Sequence, residues 1–205
     1  LDRAHQFDRN LLPQMAELGL LGVCIPPAYG GAGMDYLSLG LACEELEAVD
    51  TSLRVILSVH VALNSLTLLT WGTEDQKARY LVPQAQGTRV ATFGLTEPAA
   101  GSDVRGLQSV AVRRGGTWVI TGEKSWISLD EVEVPDANLL GQPGEGFKIA
   151  MFALDQGRYS VAAGATGLIR ACRDASAAYA LDRKTFGVEI AQHQLVKEMI
   201  ARMEA

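Results

Sequence analysis

Apolar residues along the first third of the chain return at helical intervals. Leu11, Leu12, Met15, Leu18 and Leu20 recur with a helical period, and the glycines at 19 and 22 stop the run. The stretch Ile25-Pro-Pro-Ala-Tyr-Gly-Gly-Ala-Gly33 reads as a loop, since Pro26 and Pro27 lack amide donors and the glycines permit positive φ. Asp35 is placed to cap a second helix through Val49, and Thr51 or Ser52 to cap a third. The longest apolar stretch, Leu53 to Trp71, is interrupted by Arg54, His60 and Asn64, which fits a buried core helix rather than a membrane span. Thr73-Glu-Asp-Gln76 has the form of a capping box ahead of a short helix over 77–84.

From Thr88 to about Val134 the pattern becomes that of strands. Arg89 to Leu95 reads as one strand; Gln108 to Val112 and Trp118 to Thr121 read as a hairpin across Arg113-Arg-Gly-Gly116. Lys124 to Ser128 and Glu131 to Val134 are two more short candidates, meeting at Leu129–Asp130 without a turn residue. Glu145 to about Asp182 is then a long Ala-rich helix, about 57 Å if continuous. Its run Ala162-Ala-Gly-Ala165 and Gly167 call for close-packed neighbours. Arg183-Lys-Thr-Phe-Gly187 makes a turn, and a helix resumes from Ile190 to Ala205. Helices, then strands, then helices predict an α+β fold. A helical domain spans 1–87, a small β-domain 88–134, and the start of a C-terminal helical bundle 135–205.

Composition narrows the function classes. A chain of 205 residues can bury a sizeable core. Its net charge of -6, with no local run of Lys or Arg, argues against a nucleic-acid surface. Cys24, Cys43 and Cys172 are dispersed and read as reduced thiols in a cytosol-like compartment. His5, His60 and His193 lie too far apart for a metal motif, and His60 in its apolar helix reads as a core histidine. No G-x-G-x-x-G or P-loop opens a helix, which removes the usual nicotinamide and nucleoside-triphosphate readings. The start, LDRAHQFDRNLLPQM, lacks a secretory pattern, and without an initiating Met the true start is expected upstream.

Candidate chemistry gathers in Thr92 to Val104, TFGLTEPAAGSDV. Phe93 and Leu95 bracket a strand edge, Thr96 and Ser102 bring hydroxyls, and Gly101 and Ser102 bring backbone donors suited to an anion or a polar ring edge. The same residues suit an ordinary turn in which Pro98 sets φ. The carboxylates Glu97 and Asp103 have no evident partner in the sequence. Trp126-Ile127-Ser128 pairs an aromatic face with a hydroxyl, fit either for a flat redox cofactor or for the core. Arg183 suits a bidentate phosphate contact or a solvated cation near a helix C-terminus. His193 and Gln194 suit hydrogen bonding at a subunit interface.

In their order along the chain, IPPAYGGAGMDYLSLGLACEELEAVD, TFGLTEPAAGSDV, KSWIS, DEVEVPDANLLGQPGEGFKIAM and RYSVAAGATGLIRACRDASAAYALDRKTFGVEIAQHQLVKEMIARM resemble the acyl-CoA dehydrogenase family. The resemblance covers essentially every residue. It implies FAD-dependent α,β-dehydrogenation of an acyl-CoA thioester to the 2-enoyl-CoA. A carboxylate takes the α-proton, the β-hydride passes to the flavin, and hydrogen bonds polarise the thioester. Electrons then leave to an electron-transferring flavoprotein. The resemblance puts Phe93, Leu95 and Thr96 at the isoalloxazine edge, with Gly101 in the same cofactor loop and Trp126, Ile127 and Ser128 on another side. Ser102 falls at the pyrophosphate or CoA chain, and Asp155 and Arg158 along the acyl-CoA channel. Arg183, Thr185, Phe186 and Gln194 cross a subunit interface to a neighbour's FAD, in a homo-oligomer that is a tetramer by analogy. The implied setting is a bacterial cytoplasm or mitochondrial matrix. An acyl-CoA oxidase or flavin monooxygenase of the same fold, and a non-catalytic fragment, are the alternatives.

Two departures from the family pattern stand out. The family carries further strands between a KSWIS-like and a DEVEVP-like segment, so a stretch is expected to be missing at 129/130. Its catalytic glutamate normally lies in later helices, outside this chain, and Gly157 occupies the alternative base position just before Arg158. Asp155 and Glu97 match no base position, so no catalytic base is assigned. Alone, the chain is expected to bind FAD poorly and not to turn over an acyl-CoA.

Overall fold

A computed structural model describes residues 7–125 and 127–205, with the backbone alone for residues 127–131. The first helix, α1 (Leu11–Glu17), follows the apolar period and buries Met15. Asp35 accepts the amide of Ser38 and starts α2 (Tyr36–Val49). The third helix is capped one residue earlier than expected: Asp50, in extended backbone, accepts the amide of Ser52. The Thr51 hydroxyl instead donates to Glu47 at 2.9 Å.

That third helix, α3 (Thr51–Trp71), is long and apolar enough to cross a membrane by length and composition. Here it forms the core, with Leu57, Val61 and Ala62 inaccessible against Leu21, Leu39 and Cys43. Its middle, Ser58–Ser65, is wound as a π-helix. Asn64 and Ser65 each send a side-chain hydrogen bond to the carbonyl five residues back, on Val59 and His60, and so match the wider winding. The capping box at Thr73 and Gln76 forms as expected and opens a continuous helical stretch, α4, made of Glu74–Gln76, Lys77–Leu81 and Val82–Ala85.

The long helix is α5 (Gly146–Asp182), 37 residues, packed along α2 and α3. Its small residues fix how closely it lies. A Cβ at Gly167 would fall 1.9 Å from the Glu44 carbonyl oxygen, and one at Gly164 would press on the Arg54–Glu47 ion pair at 3.1–3.2 Å. Ser160 meets Ser58 hydroxyl to hydroxyl at 2.5 Å, both buried. The chain then makes a small hairpin of Lys184–Thr185 (β4) and Val188–Glu189 (β5) before α6 (Gln194–Glu204).

The β-region differs most from expectation. Its three strands, β1 (Val110–Arg114), β2 (Thr117–Lys124) and β3 (Ile127–Pro135), form one antiparallel sheet in that order. The first hairpin turns at Gly115 and Gly116 as expected. The two short strands foreseen on either side of 129/130 are instead one strand, β3, paired with β2 from Thr117↔Pro135 to Lys124↔Ile127. Lys124 ends β2 while Ile127 and Ser128 open β3, so the strand expected over 124–128 is shared between two strands. The segment 89–95 is not a strand either. Side chains and a neighbouring turn bind its backbone: Ala91 N–H goes to His60, the Leu95 carbonyl to Lys124, and the Thr96 carbonyl to Ser125 N–H.

Both passages between the helices and the sheet are held by side chains, His60 and Gln76 buried and Tyr80 half-buried. On the way in, His60 bonds Gln84 and Ala91. On the way out, Gln76 Nε2 donates to the carbonyls of Ala137 and Leu139 at 2.9 and 2.8 Å, and Tyr80 donates to Asn138 at 2.7 Å.

Candidate functional site

The loop 95–107 faces the first turns of α5 across an apolar cleft of about 540 Å³, lined by Leu95, Val104, Arg105, Leu107, Phe147 and Ala150. A smaller hollow of about 170 Å³ shares Val104, Arg105 and Phe147 with it and continues to Ser102, Leu154 and Arg158. Together they make one groove, apolar at the Leu95 end and polar at the Ser102 end. Arg105 lies over the Phe147 ring at 5.1 Å and roofs the junction. Ser102 and Arg158, expected at the CoA side, therefore meet in one hollow, with Leu95 at its far end. Phe93 is half-buried and Thr96 and Gly101 are exposed on the same loop.

The loop's shape comes from Glu97. Its carboxylate, buried, accepts Gln108 N–H at 2.6 Å, Ser109 N–H at 3.1 Å and Lys124 Nζ at 2.8 Å. A carboxylate with several donors favours its charged form. The Gln108 amide, then Lys124 and Ser109, hold Glu97 down to about 2. Glu97 and Ala100 also exchange both backbone hydrogen bonds at 3.0 Å, which closes the turn through Pro98. Glu97 thus has partners that the sequence did not reveal, and they make it an anchor rather than an acid or base. Asp103 is likewise engaged: it accepts Arg105 N–H at 3.2 Å and caps the short turn Val104–Gly106.

Asp155 pairs with Arg158 at 2.5 Å, one turn apart on the exposed side of α5. Gly157 between them is buried, and a Cβ there would touch Leu63 at 3.4 Å. Trp126 lies outside the described residues. Ile127 and Ser128 open β3, with backbone alone described.

Arg183, Thr185, Phe186 and Gln194 gather at the opposite end of α5, about 55 Å from Phe147 at 1.5 Å per residue. One chain does not bring them to the groove. Thr185 meets His193 Nε2 at 3.0 Å, and Phe186 stands at the hairpin tip, 98% exposed, with φ 52. His193 thus serves its own hairpin. Arg105, Phe147 and Lys124 were not singled out from the sequence. The one available signal was the apolar Phe147 directly after the Gly-Glu-Gly that opens the helix.

The model of the acyl-CoA dehydrogenase N-terminal domain matches residues 1–88, that of the middle domain residues 92–138, and that of the C-terminal domain residues 144–205. A probable acyl-CoA dehydrogenase of Bacillus subtilis is 35% identical, over 99% of this chain and 68% of its own length. The butyryl-CoA dehydrogenase structure from Megasphaera elsdenii superposes with a TM-score of 0.92 at 30% identity, covering 98% of this chain and 68% of that one. A structure described as the electron-transferring flavoprotein of Acidaminococcus fermentans gives 0.93 at 35% identity, with the same coverage. The chain spans about two thirds of the length of the curated relatives it matches. Its match to the Bacillus protein runs over 259 residues against 205 here, so the matched span holds residues with no counterpart in this chain.

Proposed function

Because the chain belongs to the acyl-CoA dehydrogenase family, we propose that its groove is the flavin and thioester site of an FAD-dependent acyl-CoA dehydrogenase. The reading is carried by the meeting of loop 95–107 with the first turns of α5. The residues fit the cofactor in kind. An apolar cleft within the usual 300–1,000 Å³ range takes a flat ring, while a hydroxyl and two guanidinium groups at its polar end suit phosphates.

In this role Phe93, Leu95 and Thr96 line the ring's edge, and Leu95, Leu107, Phe147 and Ala150 keep water from the reacting carbons. Ser102 and Arg158 hold the phosphate-bearing part of the nucleotide or thioester, with Asp155 fixing the guanidinium. When bound, FAD supplies the acceptor for the β-hydride. The described carboxylates that line or flank the groove are committed: Glu97 to Lys124, Asp103 to the Arg105 amide and Asp155 to Arg158. None of them is assigned as the base. Arg183, Thr185, Phe186 and Gln194, far from their own groove, are assigned to the groove of a second copy, which makes the working protein an oligomer. The electron acceptor is an electron-transferring flavoprotein, and the compartment a bacterial cytoplasm or a mitochondrial matrix.

The test is a titration of the purified chain with FAD, followed by flavin fluorescence. Weak binding that Ser102→Ala reduces further, with no bleaching on addition of butyryl-CoA, is the expected result. Flavin emission unchanged at every protein concentration would overturn the reading. Stoichiometric flavin with butyryl-CoA turnover would overturn the view that the base is missing from these residues.

A further inference from the structure

The way into the flavin loop passes a single buried imidazole. His60 is inaccessible in the π-helical middle of α3. Its Nδ1 lies 3.1 Å from the amide nitrogen of Ala91, and its Nε2 3.0 Å from the carbonyl oxygen of Gln84. An amide N–H only donates and a carbonyl only accepts. The ring is therefore the neutral tautomer with its proton on Nε2. Both nitrogens are spent on the stretch 84–91, which ends two residues before Phe93 and four before Leu95.

We propose that His60 is a positioning residue for the flavin-binding segment 93–96, holding its path as a neutral ring and releasing it on taking a second proton. The functional half of this proposal rests on the flavin reading above. A proton on Nδ1 would face the Ala91 N–H donor to donor, at a ring with no accessible surface. One of the two must then move, and Ala91 lies on the less rigid side, since the segment 91–96 forms no ladder of its own.

Burial is the largest influence on the ring's proton, and Arg89, the charged side chain on the clamped stretch 84–91, is exposed. The flanking turn Leu20–Gly22 and the helical piece Val82–Ala85 carry no titratable side chain, and the remainder of α3 from His60 to Trp71 carries none either. Arg54, earlier on α3, is paired with Glu47, and α5 meets α3 through Gly157 and Ser160. Burial pushes His60 below its ordinary 6.5, against the smaller opposing pull of the Gln84 and Leu21 backbone groups. A histidine lowered by folding contributes stability that is intact above 6.5 and is lost as pH falls through the lowered value.

The decisive measurements are hydrogen exchange at the Ala91 amide, corrected for the intrinsic pH dependence, and FAD affinity, both between pH 7.5 and 5.5. His60→Gln is the informative variant, because its amide oxygen and nitrogen are spaced like the two ring nitrogens and carry no titratable proton. In the unaltered protein, Ala91 protection should fall by up to about tenfold across this range, one pH unit below 6.5 being worth about 1.4 kcal/mol, and FAD affinity should fall as the open form becomes populated. His60→Gln should hold both nearly constant, and His60→Leu should show the loss already at pH 7.5. An acid loss that persists in His60→Gln, or Ala91 protection indifferent to pH in the unaltered protein, overturns the proposal. If His60→Leu does not fold, the comparison with His60→Gln still decides. A protein that binds no FAD at any pH overturns the flavin reading instead, and Ala91 exchange judges the clamp without it.

Discussion

Lys124, the last residue of β2, reaches back to Glu97 at 2.8 Å and to the Leu95 carbonyl at 3.1 Å, so one ammonium ties the end of a strand to the loop that carries Thr96. The pair is inward-facing, with side-chain exposures of 15% and 4%. Glu97, brought from its ordinary 4.5 to about 2, lends stability that is complete above 4.5 and disappears as pH falls toward 2. Glu97→Gln should flatten the fall of Tm between pH 4.5 and 2. Parallel curves for the two proteins would show that the acid loss comes from elsewhere. Lys124→Met should lower Tm at pH 7 by a few degrees, since it strips a buried carboxylate of a donor.

Gly167 of α5 and Gly101 of the loop should respond unequally to alanine. At Gly167 the new Cβ meets a carbonyl oxygen at 1.9 Å, a collision with backbone that no rotamer relieves. Gly167→Ala should cost about 3 kcal/mol in urea unfolding. At Gly101 nothing lies within 4 Å, so Gly101→Ala should stay within about 0.5 kcal/mol. Equal losses at both sites would mean that α5 is not seated as described.

Phe186 occupies a position that suits another residue. With φ 52 at Phe186 and φ 82 at Gly187, the β4–β5 turn has the form that favours Asn-Gly. Phe186→Asn should raise stability by about 1 kcal/mol, because it removes left-handed strain while burying nothing less. The same variant should weaken FAD binding in the assembled protein if the aromatic tip serves a second copy's groove. Unchanged stability would deny the strain; unchanged flavin affinity would deny the role.

Arg158 and Asp155 are both mostly exposed, at 69% and 65% of their side chains. Such a pair is worth about 0–1 kcal/mol to the fold. Arg158→Ala should therefore leave Tm within a degree or two while reducing acyl-CoA affinity about tenfold, the worth of one charge-assisted contact. Competition against a fluorescent CoA thioester measures it, and an unaltered affinity would remove Arg158 from the groove's function.

The helices were legible because their signals are local. Asp35 and the Thr73–Gln76 box each act within a few positions of themselves. The loop was legible only by resemblance, because Glu97 takes its meaning from Gln108, Ser109 and Lys124, which lie up to 27 residues away. The segment 89–95 misled for a related reason: its alternation suits a strand, yet its backbone partners include an imidazole, an ammonium and the carbonyl of Pro83. Likewise the seam at 129/130 looked like two strands because its residues change character there, while a single partner, β2, accommodates both.

One of the two edge strands of the three-stranded sheet has a bearing on handling this protein. β1 is exposed along its whole length, and Val110 and Val112 stand about half open to solvent on one face. A row of amides and carbonyls left in that state is a template on which any extended peptide can zip, including another molecule's β1. Arg113 at its end is already spent on an ion pair with Asp136. Precipitation of concentrated solutions through this edge should therefore begin before the helices melt.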